Sequence, residues 1–66
     1  MQPGDLRRFK DSKRARDLGS THAGRTFMVL GVDRRPGVDI LIDDRVETDL
    51  GYFWVMDNSE TISEAG

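Results

Sequence analysis

The stretch Ser20-Thr21-His22 holds residue types that hydrolytic enzymes use for catalysis, and Asp17 lies close by in the sequence. A hydroxyl nucleophile needs a base and a third group that orients the base, all held in a rigid site. These residues stand in a polar segment that has neither a nucleophile elbow nor the glycine pattern of an oxyanion hole. We therefore expect no catalytic residues, and the segment is predicted to be a surface loop.

Acidic side chains recur in the second half of the chain, where they could bind a hard cation, because Ca²⁺ and Mg²⁺ prefer oxygen ligands. Their spacing matches no EF-hand loop, and Asp39 and Asp43 occupy the solvent-facing positions of an alternating strand. We expect no metal site and no cofactor. The residues considered are Asp33, Asp39, Asp43, Asp44, Glu47 and Asp49.

Six cations occupy ten positions near the start of the chain, in the run RRFKDSKRAR. Basic residues with aromatics among them can bind single-stranded nucleic acid, but we expect Phe9 in the core, which leaves charge alone. The net charge of −2 also repels phosphate at long range. Non-specific nucleic-acid binding is therefore the second hypothesis, through Arg7, Arg8, Lys10, Lys13, Arg14 and Arg16.

The charges are unevenly divided along the chain. Residues 1 to 26 carry seven Lys and Arg against three Asp, a net charge of +4, and residues 27 to 66 carry three against nine acids, a net charge of −6. Opposite charges on the two parts favour attraction within one fold or between two copies over contact with nucleic acid.

The length of 66 residues allows one domain, and a chain this short buries only about 60% of its unfolded surface. There is no cysteine and one histidine, so neither a disulfide nor a metal can stabilise the fold from within. No apolar run approaches the ~20 residues of a membrane span. We expect a soluble cytoplasmic protein without a signal peptide or membrane contact.

Apolar runs between turn-forming residues predict strands. Residues 4–10 are predicted as the first strand, and residues 26–33, apolar on both faces, as a central one. Residues 38–43 alternate between apolar and polar positions, and the RRPG spacer joins them to the preceding strand as a hairpin. Residues 44–51 either continue this hairpin or form a loop.

The segment Tyr52 to Met56 is the aromatic cluster of the chain. Alternation predicts a strand with Phe53 and Val55 in the core. Tyr52, Trp54 and Met56 would share the other face, where they are the predicted protein-contact surface because these residue types are enriched in interface cores. The alternative is that Trp54 covers one mouth of the core.

The remaining segments complete an all-β architecture. Residues 10–25 are predicted as a long basic loop, with a helical turn over 12–18 as the alternative. Residues 57–60 predict a 3₁₀ turn, residues 61–63 a last strand and residues 64–66 a flexible C-terminus. Strand, long loop, hairpin, strand, turn and strand together predict a single five-stranded SH3-like barrel over residues 1–66.

Four stretches carry a family resemblance over almost the whole chain: PGDLRRFKDS, GRTFMVLGVD, VDILIDDR and WVMDNSETISE. They resemble the small SH3-like barrel proteins encoded by tailed phages of marine cyanobacteria. The resemblance implies the barrel fold, no catalytic site, and a place in the host cytoplasm or on the virion. We predict a non-enzymatic accessory protein that binds a partner protein or itself.

Overall fold

The computed structural model of the protein describes residues 1–11, 22–33 and 37–65. In these segments the chain forms a single antiparallel sheet and a short helix. The strands are β1 (Leu6–Phe9), β2 (Thr26–Asp33), β3 (Gly37–Ile42), β4 (Arg45–Gly51) and β5 (Ser59–Ser63), and the helix α1 is Tyr52–Asp57. The prediction of an all-β chain is confirmed.

The five strands lie in the order β4-β3-β2-β1-β5, so the first strand pairs with the last. All neighbouring strands run antiparallel. The edge strands β4 and β5 are not hydrogen-bonded to each other, and the sheet is therefore not closed into the predicted barrel.

Alternation along the strands builds the core on one face of the sheet, the inner face. Phe27 and Val29 point inward from β2, and the rings of Phe9 and Phe27 stack with their centroids 4.5 Å apart. The expectation that Phe9 belongs to the core is confirmed. The buried apolar residues are Phe9, Phe27, Val29, Val38, Ile40, Ile42 and Val55.

The first strand, the central strand and the alternating strand all form where the sequence predicts them. Residues 44–51 continue the hairpin as β4. The long loop predicted over residues 10–25 falls mostly outside the described residues, and the alternative helical turn falls entirely outside them. The described residues contain no helix with the length and hydrophobicity needed to cross a bilayer.

The segment Tyr52–Asp57 is a helix, and the prediction of a strand there was wrong. The chain leaves β4 at one edge of the sheet and must enter β5 at the other edge. Six residues span ~20 Å when extended but ~9 Å as a helix. Helix α1 contacts β3, β4 and β5, so this short connection bridges the two edges of the sheet. This geometry overrides the strand preference of aromatic residues.

Helix α1 ends at a side-chain and backbone cap. The backbone N–H of Asn58 donates to the Trp54 carbonyl at 3.0 Å, and the Asn58 side chain donates to the same oxygen at 2.8 Å. The Ser59 hydroxyl donates to the Val55 carbonyl. The predicted 3₁₀ turn over residues 57–60 was wrong: Asp57 ends the α-helix, Asn58 alone forms the turn, and the last strand begins at Ser59, two residues before the predicted start.

The strands β3 and β4 contain two sites of unusual backbone. Asp43 and Asp44 form their two-residue turn with φ of 51° and 61°, the positive values of a type I′ turn. Asp49 has φ of 58° beside a register shift between the strands. The Asp39 carboxylate accepts the Asp49 N–H at 3.0 Å and fixes this bulge.

Candidate protein-contact surface

Helix α1 presents a cluster of large apolar side chains to solvent. Phe53 is 68% exposed, Trp54 46% and Met56 40%, whereas Val55 is fully buried. We call Phe53, Trp54 and Met56 the helix patch. Single exposed apolar residues are common on protein surfaces, but three large ones on a six-residue helix are unusual and make this helix the candidate contact surface.

The helix changes which residues of the cluster point outward. Residues three apart lie on the same side of a helix, so Tyr52 and Val55 turn toward the core while Phe53 and Met56 turn away. Trp54 and Met56 are exposed, and Tyr52 is half-buried and packs on the core. The expectation that Phe53 lies in the core was wrong.

The helix patch is held in place by the rings beneath it. The Trp54 ring lies 5.7 Å from the ring of Phe9, centroid to centroid, with a tilt of 51°. Tyr52 contacts Phe53 edge to face, with centroids 5.4 Å apart. Since Phe9 is buried, Trp54 packs on the core on one side and is open to solvent on the other.

Arg7, the first of the predicted nucleic-acid residues, is buried at 7% exposure. Its Nε donates to the Ser59 hydroxyl at 2.8 Å, and its two terminal nitrogens donate to the Thr61 hydroxyl at 2.8 Å and the Ser59 carbonyl at 3.0 Å. A guanidinium committed to three bonds across β1 and β5 does not project toward a phosphate. Arg7 therefore joins the first strand to the last.

The other predicted basic residues are only partly described. Arg8 is exposed and forms a 2.7 Å ion pair with Glu60, which lowers the pKa of that carboxyl by hydrogen bonding and charge. Lys10 is exposed. Lys13, Arg14 and Arg16 lie outside the described residues, and of the three cations that are described Arg7 is buried.

Of the residues considered for catalysis only His22 is described, and the described residues considered for metal binding form no metal site. Ser20, Thr21 and Asp17 lie outside the described residues, and the His22 ring stacks on Phe9 with centroids 5.9 Å apart. His22 lines an open polar depression on the protein surface, together with Arg25, Ile42, Asp43, Asp44 and Arg45. Among the described residues, no group of three or more His, Asp or Glu is placed to hold a metal ion.

Asp5 is a buried carboxylate that ties the two ends of the described chain together. Its Oδ1 accepts the Ala65 N–H at 2.8 Å and its Oδ2 accepts the Gln2 N–H at 2.9 Å. These bonds, first that of Ala65 and then that of Gln2, lower the pKa of Asp5. Residues 64–66 are the predicted flexible C-terminus. Within this segment, the backbone N–H of Ala65 is hydrogen-bonded to Asp5.

A second apolar surface lies on the outer face of the sheet, opposite the core. Leu6 is directly opposite Met28 in the β1–β2 register, Met28 opposite Leu41, and Leu41 opposite Val46. We call these four residues the outer row. Met28 and Leu41 are each 39% exposed and Val46 58%, and Leu30 on β2 is 42% exposed. Sequence reasoning missed this row, although Met28, Leu30 and Leu41 occupy outward positions by alternation alone.

Comparison of the chain with protein-family models, with curated proteins and with solved structures finds no match.

Proposed function

We propose that the protein is a non-enzymatic binding protein whose helix patch docks onto an apolar segment of a partner protein. The observation that carries this proposal is the exposure of Phe53, which is 68% accessible on a helix that turns Val55 into the core. Phe53 contributes little to the core from this position, and a large apolar side chain in water gains free energy when a partner covers it.

The composition of the helix patch supports a protein partner. Tryptophan, phenylalanine and methionine are enriched at the centres of protein interfaces, and tryptophan often dominates the binding energy. The Trp54 ring packs against the buried ring of Phe9, so its side chain is already fixed before a partner binds. Pre-organised aromatic anchors lose less conformational entropy on association.

The charges around the helix indicate the chemistry of the partner. Helix α1 has no basic residue in its last turn and ends in the exposed Asp57. A partner segment that places a Lys or Arg next to an apolar anchor would complement this surface.

We also propose that the fold is related to the SH3-like barrel. The order of the elements supports it, because β5 pairs with β1 and a short helical connection precedes the last strand. The sheet would then be a partly open form of the barrel, with α1 between its two unpaired edges. A role as an accessory protein of a tailed phage, in the host cytoplasm or on the virion, is what the sequence resemblance adds.

The proposal is tested by selecting ligands from a displayed random-peptide library on the immobilised full chain. We expect enriched peptides that combine aromatic or aliphatic residues with Lys or Arg. A synthetic peptide of this kind should change the fluorescence of Trp54, the single tryptophan of the chain. Phe53→Ser should weaken the peptide at least about tenfold, the loss expected when an interface hot spot is truncated.

The matched control is Ile62→Ser, which removes an apolar side chain on β5 that is 50% exposed and lies outside the helix patch. This variant should bind the peptide as the wild type does. Equal binding by Phe53→Ser and the wild type would overturn the proposal, as would a library that yields no enriched peptide.

A further inference from the structure

We infer that the outer row is a self-association surface whose partner is a second copy of this chain. This inference does not depend on the helix patch, because the two surfaces belong to different elements and α1 packs on the core side of the sheet through Val55. It rests on the symmetry of the row, the placement of charge beside it and the size of the apolar area.

The outer row is self-complementary about the middle of the sheet. Leu6 and Met28 stand on one side of the boundary between β2 and β3, and Leu41 and Val46 stand on the other. A two-fold axis parallel to the strands at this boundary brings Leu6 of one copy against Val46 of the second. Met28 then meets Leu41, and the contact is isologous, as in most dimers.

The same two-fold axis pairs opposite charges. Two residues beyond Leu6 is the exposed Arg8, which also forms the ion pair with Glu60 of its own copy, and the corresponding position on the β3–β4 side is the turn containing Asp43 and Asp44. Reversing the strand order places Arg8 of one copy over Asp44 of the other, on both sides of the axis. An axis along the row would instead set Asp43 over Asp39, which is repulsive. Charge therefore selects the strand-parallel arrangement.

The apolar area sets the strength of the association. Apolar patches of a few hundred Å² commonly mark contact sites, whereas stable complexes bury ~800 Å² on each partner. The outer row with Leu30 provides five side chains, of which Met28, Leu30, Leu41 and Val46 are between 39% and 58% exposed. The dimer is therefore weak and reversible, and two sheets stacked ~10 Å apart form its centre.

The first experiment is NMR of the uniformly labelled full chain at concentrations from about 10 µM to about 1 mM, a range that covers weak dimers. Amide resonances of Leu6, Met28, Leu41 and Val46 should shift with concentration, and those of Phe53 to Asp57 should not. Shifts confined to α1, or no shift at all up to the highest concentration, would overturn the inference. This measurement needs no substitution and so does not depend on a variant that folds.

The second experiment uses charge exchange, read out by sedimentation equilibrium. Arg8→Glu and Asp44→Lys should each weaken the dimer, and the double variant R8E/D44K should restore it, because the pair is reversed on both sides of the axis. Failure of the double variant to recover association would refute the pairing. Circular dichroism of each variant checks the fold.

Two substitutions separate this inference from the proposed function. Leu41→Ser should weaken self-association while leaving peptide binding at the helix patch intact, and Phe53→Ser should do the reverse. Loss of self-association in Phe53→Ser alone would place the dimer contact on α1 and refute the outer row. Retained peptide binding in Leu41→Ser also shows that this variant is folded.

Discussion

Arg7 and Ser59 are joined across the first and last strands by two hydrogen bonds, from Nε to the hydroxyl at 2.8 Å and from a terminal nitrogen to the carbonyl at 3.0 Å. The buried guanidinium of Arg7 thus connects β1 to β5 through polar contacts, at the side of the sheet where β5 contributes no buried apolar residue. The pairing of β1 with β5 depends on side chains as well as on the backbone ladder.

The substitution Arg7→Met should lower the free energy of unfolding by about 2–3 kcal/mol, since it leaves the Ser59 carbonyl and hydroxyl without a donor in a buried site. Urea denaturation followed by circular dichroism measures the loss. Arg8→Met is the control, because Arg8 is exposed and its ion pair with Glu60 contributes little. A similar loss in both variants would show that the buried bonds are not the cause.

The contrast between Val55 and Phe53 tests the helical form of α1. Val55→Ala should lower the free energy of unfolding by about 2 kcal/mol, because it removes buried methyl groups and leaves a cavity. Phe53→Ala, at an exposed position, should change it by less than about 0.5 kcal/mol. Thermal and urea unfolding of both variants decide the question. A strand with both side chains in the core would instead make Phe53→Ala the more damaging change.

Asp44→Gly should raise the free energy of unfolding by roughly 1 kcal/mol. Asp44 has φ of 61°, a conformation that costs an L-residue free energy and that glycine adopts readily. Asp43 remains in place, so its 3.2 Å ion pair with Arg25 is kept. Asp44→Ala is the control: it removes the same carboxylate but keeps the backbone penalty. If alanine stabilises as much as glycine, charge rather than φ is responsible.

Acid should destabilise the protein through Asp5. The amides of Ala65 and Gln2 lower the pKa of Asp5 in the folded state, so its contribution is complete above the ordinary pKa of an aspartate. It is lost as the pH falls through the lowered folded value. Glu60, whose pKa Arg8 lowers, acts in the same direction.

Melting temperatures measured between about pH 5 and about pH 2 test this contribution. Asp5→Asn should melt lower than the wild type at neutral pH and lose less of its stability on acidification. Glu64→Gln, an exposed carboxylate beside Ala65, is the control and should follow the wild-type curve. If Asp5→Asn loses as much stability in acid as the wild type, protonation of Asp5 is not a cause of the acid destabilisation.

Nucleic acid should bind only at low ionic strength. Arg7 is buried and Arg8 is paired with Glu60, so few cations of the described chain face a phosphate backbone. Fluorescence anisotropy with single- and double-stranded DNA and with RNA should show no binding at about 150 mM salt. The control neutralises the remaining predicted set, Arg8, Lys10, Lys13, Arg14 and Arg16. Binding that persists at this salt and is lost in the control would favour the alternative function.

The sequence patterns predicted the strands that carry most of the core residues, β2 and β3. β2 and β3 follow from β-branched and apolar residues in alternation, and their bounds match the predicted segments to within a residue. With Phe9 inward, a period of two also turns Arg7 inward, and this signal in the sequence was available but unused. Local pattern was thus informative wherever a strand lies in the middle of the sheet.

The helix α1 could not be predicted in the same way. Its six residues favour strands by type, but they connect two strands at opposite edges of the sheet, and the sequence does not state that strand order. The predicted contact surface changed accordingly, with Phe53 in place of Tyr52. The outer row depends likewise on the register of four strands, which only the three-dimensional structure provides.

The pairing of β1 with β5 also constrains when the chain can fold. Arg7 and Ser59 are 52 positions apart in the sequence, and contacts between such distant positions slow folding because a long loop must close first. During synthesis, β1 leaves the ribosome long before its partner exists. The nascent protein must therefore remain an incomplete sheet, with its first strand exposed on one side, until residues 59–63 have been translated and released.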